Sequence, residues 1–344
     1  MNETNNSKRQ GRVILYLGLV ESATSPQIIK FVSQVYEVSK ATLARDLQDL
    51  VKENQIEILG GGRSVKYRLN STHPLLKPIN VESYFIDEPD KRIWANKDFN
   101  EKIFDQLPKL FTNTEIADIT KIFKPLPKDP NRRELERFVI ELAWKSSKIE
   151  GNTYTLLETE TLIKQSLEAE GHSREEAEMI LNHKRAFEQI IQNREEFAQL
   201  NMSNILQLHK IMVSGLNVKT GIRNFKVGIS GSVYVPVENQ GQLRENLEKL
   251  IIYVNSLDFV LEKALVTTAI IAYLQVFADG NKRTSRMLAN AVLMGHDWYP
   301  MSYRNVDVGE YKKSLVIFYE TNNILPFKRL IVDQYRFALD TYFL

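Results

Sequence analysis

"AYLQVFADGNKRTSRM", residues 272–287, runs from an apolar segment through an acidic turn into a basic one. The residues before it, "ALVTTAIIAYLQ", predict an apolar helix. The residues after the turn, "KRTSRMLANAVL", predict a second helix whose Met287/Ala291 and Leu288/Val292 pairs face inward. Gly280 permits the tight turn between them, and the free N–H groups at the start of the second helix form an anion site. Arg283 and Arg286, three residues apart on one face, can fork onto phosphate oxygens. Asp279 adds a negative charge that a hard cation such as Mg²⁺ would offset. The same residues also fit a plainer reading, with Asp279 as a helix cap and the arginines as solvated surface charge.

The remainder of the chain bounds the alternatives. At 344 residues and 43% hydrophobic, it has room for two or three cored domains. The 45 basic and 43 acidic residues leave a net charge of +2, so any nucleic-acid site has to be local. There is no cysteine, which excludes disulfides and thiolate zinc sites and fits a cytoplasmic protein. The most apolar stretch, 264–278, carries Thr267, Thr268 and Gln275 and falls short of the roughly 20 apolar residues a membrane span needs. The polar start "MNETNNSKRQ" lacks the apolar core of a secretory signal. No membrane partner is expected.

Near the N-terminus, "RVILYLGLV" predicts a helix, and Ser25 with Pro26 predicts the N-cap and first turn of another. A third begins at Ser39, with Leu43, Leu47, Leu50 and Val51 on one face. "IEILGGGRSVKYRL" then predicts a hairpin around three glycines. This order, with "VSKATLARDLQDLVKENQIE", resembles the winged helix-turn-helix of bacterial regulators over residues 9–70. Lys40 and Arg45 on the third helix, with Arg63, Lys66 and Arg68 on the wing, are candidate DNA contacts. On the helix, Asp46, Asp49 and Glu53 balance the basic residues; the wing looks free of acids. Protein contact or dimerisation through this domain is the alternative. Residues 71–92, rich in proline and polar residues, read as a linker.

"QVFADGNKRTSR" is similar to the active-site motif of the Fic (Fido-superfamily) proteins, H-x-F-x-[D/E]-G-N-[G/K]-R-x-x-R. Seven of the eight constrained positions match: Phe277, Asp279, Gly280, Asn281, Lys282, Arg283 and Arg286. The eighth, the histidine, is Gln275. The resemblance extends over about residues 95–344, since "GIRNFKVGISGSVYVP" resembles the family's target-docking flap, with Val227, Gly228, Ile229 and Tyr234 as its docking residues.

Family members typically move AMP from MgATP to a Ser, Thr or Tyr hydroxyl of a protein. The resemblance implies that Asp279 holds Mg²⁺. It implies that Asn281 and the backbone of 280–283, with Lys282 and Arg283, cradle the α- and β-phosphates, and that Arg286 takes the γ-phosphate. Phe277 would anchor the loop. The flap would pin the target as an added strand.

Upstream, "NRRELERFVIELAWKSSKIEGN" carries an apolar stripe of Leu135, Phe138, Val139, Leu142 and Ile149, and Ser146 and Glu150 edge onto the same face. A carboxylate turned inward needs a cation, whereas a fraying helix end would leave Glu150 in water. "SSKIEGN" matches the family's inhibitory motif [S/T]-x-x-x-E-[G/N] at Ser146, Glu150 and Gly151. The resemblance therefore implies that Glu150 ties up Arg286 and misplaces ATP.

Together these readings predict a mainly α chain: a helical Fic core with a β-hairpin flap, preceded by a small α/β winged-helix domain. The expected boundaries are 9–70, a linker 71–92, and 93–344 with inhibitory helix 131–151 and flap 221–238. The expected activity is AMP transfer from MgATP to a target protein or to the chain itself, autoinhibited through Glu150 and Arg286. Gln275 cannot accept a proton near neutral pH, so transfer should fall while nucleotide binding survives. Of the other histidines, His209 reads as packed in a helix, His183 as exposed, and His296 as lying beyond the following helix. The alternative function is an ATP-binding regulator with little or no turnover, acting on DNA or a partner protein through residues 9–70; a weaker one is transfer of another group such as phosphate or UMP. A homo-oligomer fits either.

Overall fold

A computed structural model describes residues 5–20, 22–62, 65–70, 73–128 and 130–342. It is mainly helical: α1 (Asn5–Leu19), α2 (Ser25–Val32), α3 (Lys40–Lys52), then β1 (Ile56–Leu59) and β2 (Lys66–Leu69), then α4 (Val81–Tyr84), α5 (Ile103–Gln106), α6 (Asn113–Ile122), α7 (Arg132–Ile149), α8 (Leu156–Gln165), α9 (Arg174–Gln192), α10 (Met202–Met212), α11 (Gln240–Ser256), α12 (Val260–Leu274), α13 (Asn281–Gly295), α14 (Val308–Thr321) and α15 (Leu325–Thr341). Among the described residues, no helix is long and apolar enough to cross a membrane. The chain divides into two compact units. One comprises the chain up to Lys97 with Gly231–Val233 and Val316–Pro326; the other comprises Asp98–Ser230, Tyr234–Leu315 and the chain from Phe327.

In the first unit, α1, α2 and α3 enclose Val13, Leu17, Ile28, Val32, Leu43, Leu47 and Leu50, and the hairpin adds Ile56 and Leu69. The stripe expected on α3 is therefore the face that packs. Ser39 caps that helix, its hydroxyl accepting from the Thr42 N–H at 3.1 Å. The cap of α2 is Thr24, one residue earlier than expected. There the Gln27 side chain reaches back to the Thr24 N–H at 2.8 Å, which Ser25 inside the helix could not offer. β1 and β2 are antiparallel with Glu57 opposite Arg68, and Ala23 bridges to Tyr67 on the hairpin's other side.

The stretch read as a linker is partly interior to this unit: Leu75, Tyr84 and Arg92 are buried. Glu320, also buried, explains the unit's composition. One carboxylate oxygen accepts from Tyr84 Oη (2.6 Å) and Arg92 Nη1 (2.7 Å), and the other from Ser232 Oγ (2.7 Å) and the Val233 N–H (3.0 Å). A buried carboxylate is tolerable only when saturated in this way. The expected boundaries 9–70, 71–92 and 93–344 differ from this division because sequence proximity does not register such a long-range hub.

In the second unit, every residue of α12 is buried, as an all-round apolar helix requires. It packs most extensively on α13, which also meets α7, α9 and α10. The loop 275–280 between α12 and α13 is thus held by the best-packed part of the molecule. Residues 221–238, expected to hold a β-hairpin, contain no strand ladder. They run irregularly with a turn at 230 and 231, and Ile222 makes a single bridge to Phe277. Carbonyls at Phe225 and Val237 accept from the Arg223 guanidinium, so they do not serve a ladder.

Candidate functional site

Gly280 opens α13 in a left-handed conformation (φ 78°), and a Cβ there would lie 2.8 Å from Val213 Cγ1. Both facts demand glycine. The first N–H groups of α13 have no intrahelical partners and carry the positive end of the helix dipole. Asn281 closes the loop beneath them. Its Oδ1 accepts from the Phe277 N–H at 2.8 Å, and its Nδ2 donates to the Phe277 carbonyl at 2.9 Å. The Asn281 amide, expected to cradle phosphates, thus spends its oxygen and one of its two Nδ2 hydrogens on shaping the loop.

Phe277 is buried and stacks on His209 at 3.7 Å with the rings nearly parallel. His209 Nε2 lies 3.0 Å from the Asp279 carbonyl oxygen and donates to it. Burial pushes the His209 imidazole down to about 4, so it is neutral at physiological pH. The expectation of a packed histidine holds, yet its role as the support of the loop carries no mark in "LQLHKIM".

Each cation of the loop meets an acid. Arg283 Nη2 is 3.2 Å from Asp279 Oδ2. Glu150, just after α7, bridges the other two: Oε1 is 2.9 Å from Arg286 Nη2 and Oε2 is 2.9 Å from Lys282 Nζ. Arg286 is wholly buried. Its Nε donates to Ser146 Oγ and its Nη2 to the Ser146 carbonyl, both at 2.9 Å, while its guanidinium stands 5.2 Å over the Tyr311 ring. Burial alone would push the Glu150 carboxyl up, but Arg286 and then Lys282 outweigh it and hold it down at about 2. Gly151 follows Glu150 with φ 100°, turning the chain at that point.

His183, expected to be exposed, is buried. α9 lies against α7, and this puts His183 Nε2 2.8 Å from Ser146 Oγ while Nδ1 donates to the Met179 carbonyl at 2.8 Å. Burial holds this imidazole neutral, at about 3, so Nε2 accepts from Ser146 and Ser146 accepts from Arg286. The "LNHKRAF" segment looked polar because its lysine and arginine directly follow the histidine, yet Asn182, His183, Ala186 and Phe187 all turn inward.

Gln275 ends α12 in a left-handed conformation (φ 49°, ψ 54°). Its Nε2 donates to the Ala272 carbonyl at 2.7 Å, folding the side chain onto the helix end. Its backbone carbonyl accepts from Arg223 Nε at 2.6 Å. On the flap, Gly228 is exposed and Val227 and Ile229 are half-buried. Tyr234 is a correction: it is buried, stacked on Tyr273 at 4.6 Å, with its hydroxyl donating to the Tyr273 carbonyl at 3.0 Å. It anchors the flap from inside and cannot face a target.

Among the described residues, no group of three or more metal-binding side chains gathers. Asp279, 68% exposed, is a single carboxylate beside an anion-ready helix start. That suits a Mg²⁺ ion that draws its other ligands from phosphates and water.

In the first unit, Lys40 and Arg45 are exposed, while Asp46 is buried and held by Arg9 Nη2 at 2.7 Å. Lys66 and Arg68 are exposed, but Arg68 pairs with Glu57 across the hairpin, so the wing is not free of acids. Antiparallel register brings the two together from eleven residues apart. Arg63 lies outside the described residues.

Residues 199–293 match the model of the Fic/DOC family. The chain is similar to the protein adenylyltransferase Fic of Drosophila willistoni, 28% identical over 215 residues, which are 61% of this chain and 43% of that protein. It is likewise similar to that of Drosophila virilis, 28% identical over 218 residues, 61% of this chain and 44% of the relative. The alignment thus spans less than half the length of either relative. Among solved structures, a Fic family protein from Desulfovibrio desulfuricans has a TM-score of 0.55 at 20% identity, covering 70% of this chain and 74% of that one. Fic-1 from C. elegans has a TM-score of 0.51 at 19% identity, covering 70% and 68%. At such identities the likeness is one of fold.

Proposed function

We propose that the chain transfers AMP from MgATP to a hydroxyl of a protein, that Glu150 restrains this activity in cis, and that Gln275 impairs it. The observation that carries the proposal is the Glu150 carboxylate bridging Arg286 and Lys282 across the loop built on Asp279, Gly280 and Asn281. A loop that engages its cations with an internal carboxylate is one whose cations would otherwise take phosphate oxygens.

In this reading the N–H groups at the start of α13 and Arg283 hold the phosphates, and Asp279 holds Mg²⁺. When bound, the metal neutralises negative charge on the departing pyrophosphate. The target oxygen bonds to the α-phosphorus, the bond from that phosphorus to the leaving pyrophosphate breaks, and the hydroxyl proton must find an acceptor. The Gln275 side chain provides none. His183 and His209 are buried, neutral and engaged. Nucleotide binding therefore outlasts chemistry.

The test is α-labelled ATP with Mg²⁺ on three proteins: wild type, Glu150→Gly, and Glu150→Gly/Gln275→His. The double variant should label itself or an added protein about 10²–10⁴-fold faster than the single one. A double variant that binds ATP and stays unlabelled would dismiss the transfer reading.

A second reading, an ATP-binding regulator with little turnover, draws on the Gln275 amide turned back onto Ala272. Its output would be the first unit acting as a winged helix on DNA. Three helices before a hairpin, with Lys40 and Arg45 exposed and Asp46 withdrawn, support this. A gel shift on the protein's own promoter should weaken steeply between two salt concentrations. Binding that ignores salt, or no binding, rejects it.

A further inference from the structure

Arg223 is almost fully buried, and among the described residues no carboxylate makes an ion pair with it. Its donors go to carbonyls instead: Nε to Gln275, Nη1 to Phe225 and Nη2 to Val237. Its own N–H donates to the Val276 carbonyl at 3.0 Å, beside the Ile222–Phe277 bridge. One side chain thus gathers both arms of the flap and the backbone of the position where a catalytic base would stand.

We infer that Arg223 is the positioning residue that sets the flap against residue 275, so that a target strand laid on the flap arrives in register with the reacting phosphate. The inference rests on the transfer reading for what the flap carries. The flap has no ladder of its own, so its placement depends on such anchors. A guanidinium supplies donors in three directions of one plane, which an ammonium cannot do. Its hold on Gln275 is on the backbone, in a left-handed conformation that a non-glycine residue adopts at a cost. Arg223 therefore aims whichever side chain occupies position 275, glutamine or histidine alike. Burial depresses the guanidinium, consistent with a group retained for its geometry.

The test uses the full chain with Arg223→Met, which keeps the length and removes the donors, and Arg223→Lys, which restores one charge. Amide hydrogen exchange at 224–237 and at 276–277 should quicken about tenfold or more in the Met variant and less in the Lys variant, with ATP affinity within about twofold of wild type. Unchanged exchange at these amides overturns the inference. Exchange that quickens throughout the molecule, or that quickens while ATP affinity falls, makes Arg223 a general structural staple and overturns it equally. In the Glu150→Gly/Gln275→His background, Arg223→Met should slow labelling about 100-fold at saturating ATP. If that background fails to label with Arg223 intact, the transfer reading fails, and the exchange data still decide whether Arg223 sets the flap.

Discussion

Glu150→Gly removes one carboxylate and two charge-assisted hydrogen bonds, each 2.9 Å long. Such bonds contribute about 1.5–3 kcal/mol when shielded and well under about 1 kcal/mol when exposed. Arg286 is fully buried, so its arm belongs to the first range; Lys282 is 30% exposed, so its arm belongs nearer the second. The lock then amounts to about 3 kcal/mol. Depression of the Glu150 carboxyl to about 2, by Arg286 first and then Lys282, has the same sign. A γ-phosphate that takes Arg286 must first undo this contact, so its removal should tighten ATP binding roughly 100-fold. Titration calorimetry reads the change directly. Glu150→Gln, which keeps the volume and drops the charge, should give a gain of about tenfold by the same reasoning. Without nucleotide the Gly variant should melt lower, because Arg286 keeps its burial and loses its counter-charge. Added ATP should then raise its melting temperature more than it raises that of wild type. Equal ATP affinities in wild type and both variants would refute the reasoning.

Acid should release the same lock. The folded carboxyl at about 2 lies below its ordinary 4.5, so the contribution is complete above about 4.5 and is lost as pH falls through about 2. Thermal melts should show the gap between wild type and Glu150→Gln closing over that window; a constant gap would contradict it. Lys282→Ala should shrink the affinity gain from Glu150→Gly about twofold, because the weaker, partly exposed arm of the carboxylate's attachment is already gone. An undiminished gain in calorimetry would make Lys282 a bystander to the lock.

How far the sequence could be read depended on range. The turn at Gly280, the basic first turn of α13 and the inward stripe of α7 are local patterns, with periods of a few residues, and they appear in the fold as expected. Ser146 and Glu150 could be placed on the inner face of a helix, while their partner came from a motif resemblance and not from spacing. His183 reads as exposed because lysine and arginine follow it, and Tyr234 reads as outward because the flap resemblance does not tell an outer side chain from an inner one; in each case only the element packed over the residue makes it interior. The flap shows a different limit. Its β-branched residues specify extended backbone, but whether extended chain forms a ladder depends on what else takes its carbonyls, and here that is Arg223.

By itself, the sequence determined the helical architecture and the tight turn between α12 and α13, since these follow from side-chain chemistry and short-range geometry. Tertiary structure alone decided that Glu150 reaches Lys282 as well as Arg286, that His183 stands behind Ser146, and that Arg223 joins position 275 to the flap. Those contacts span 37 to 136 residues of chain. Such separations carry no periodic signal, and the contacts exist because burial leaves a charged or polar group no partner except the one the fold brings to it.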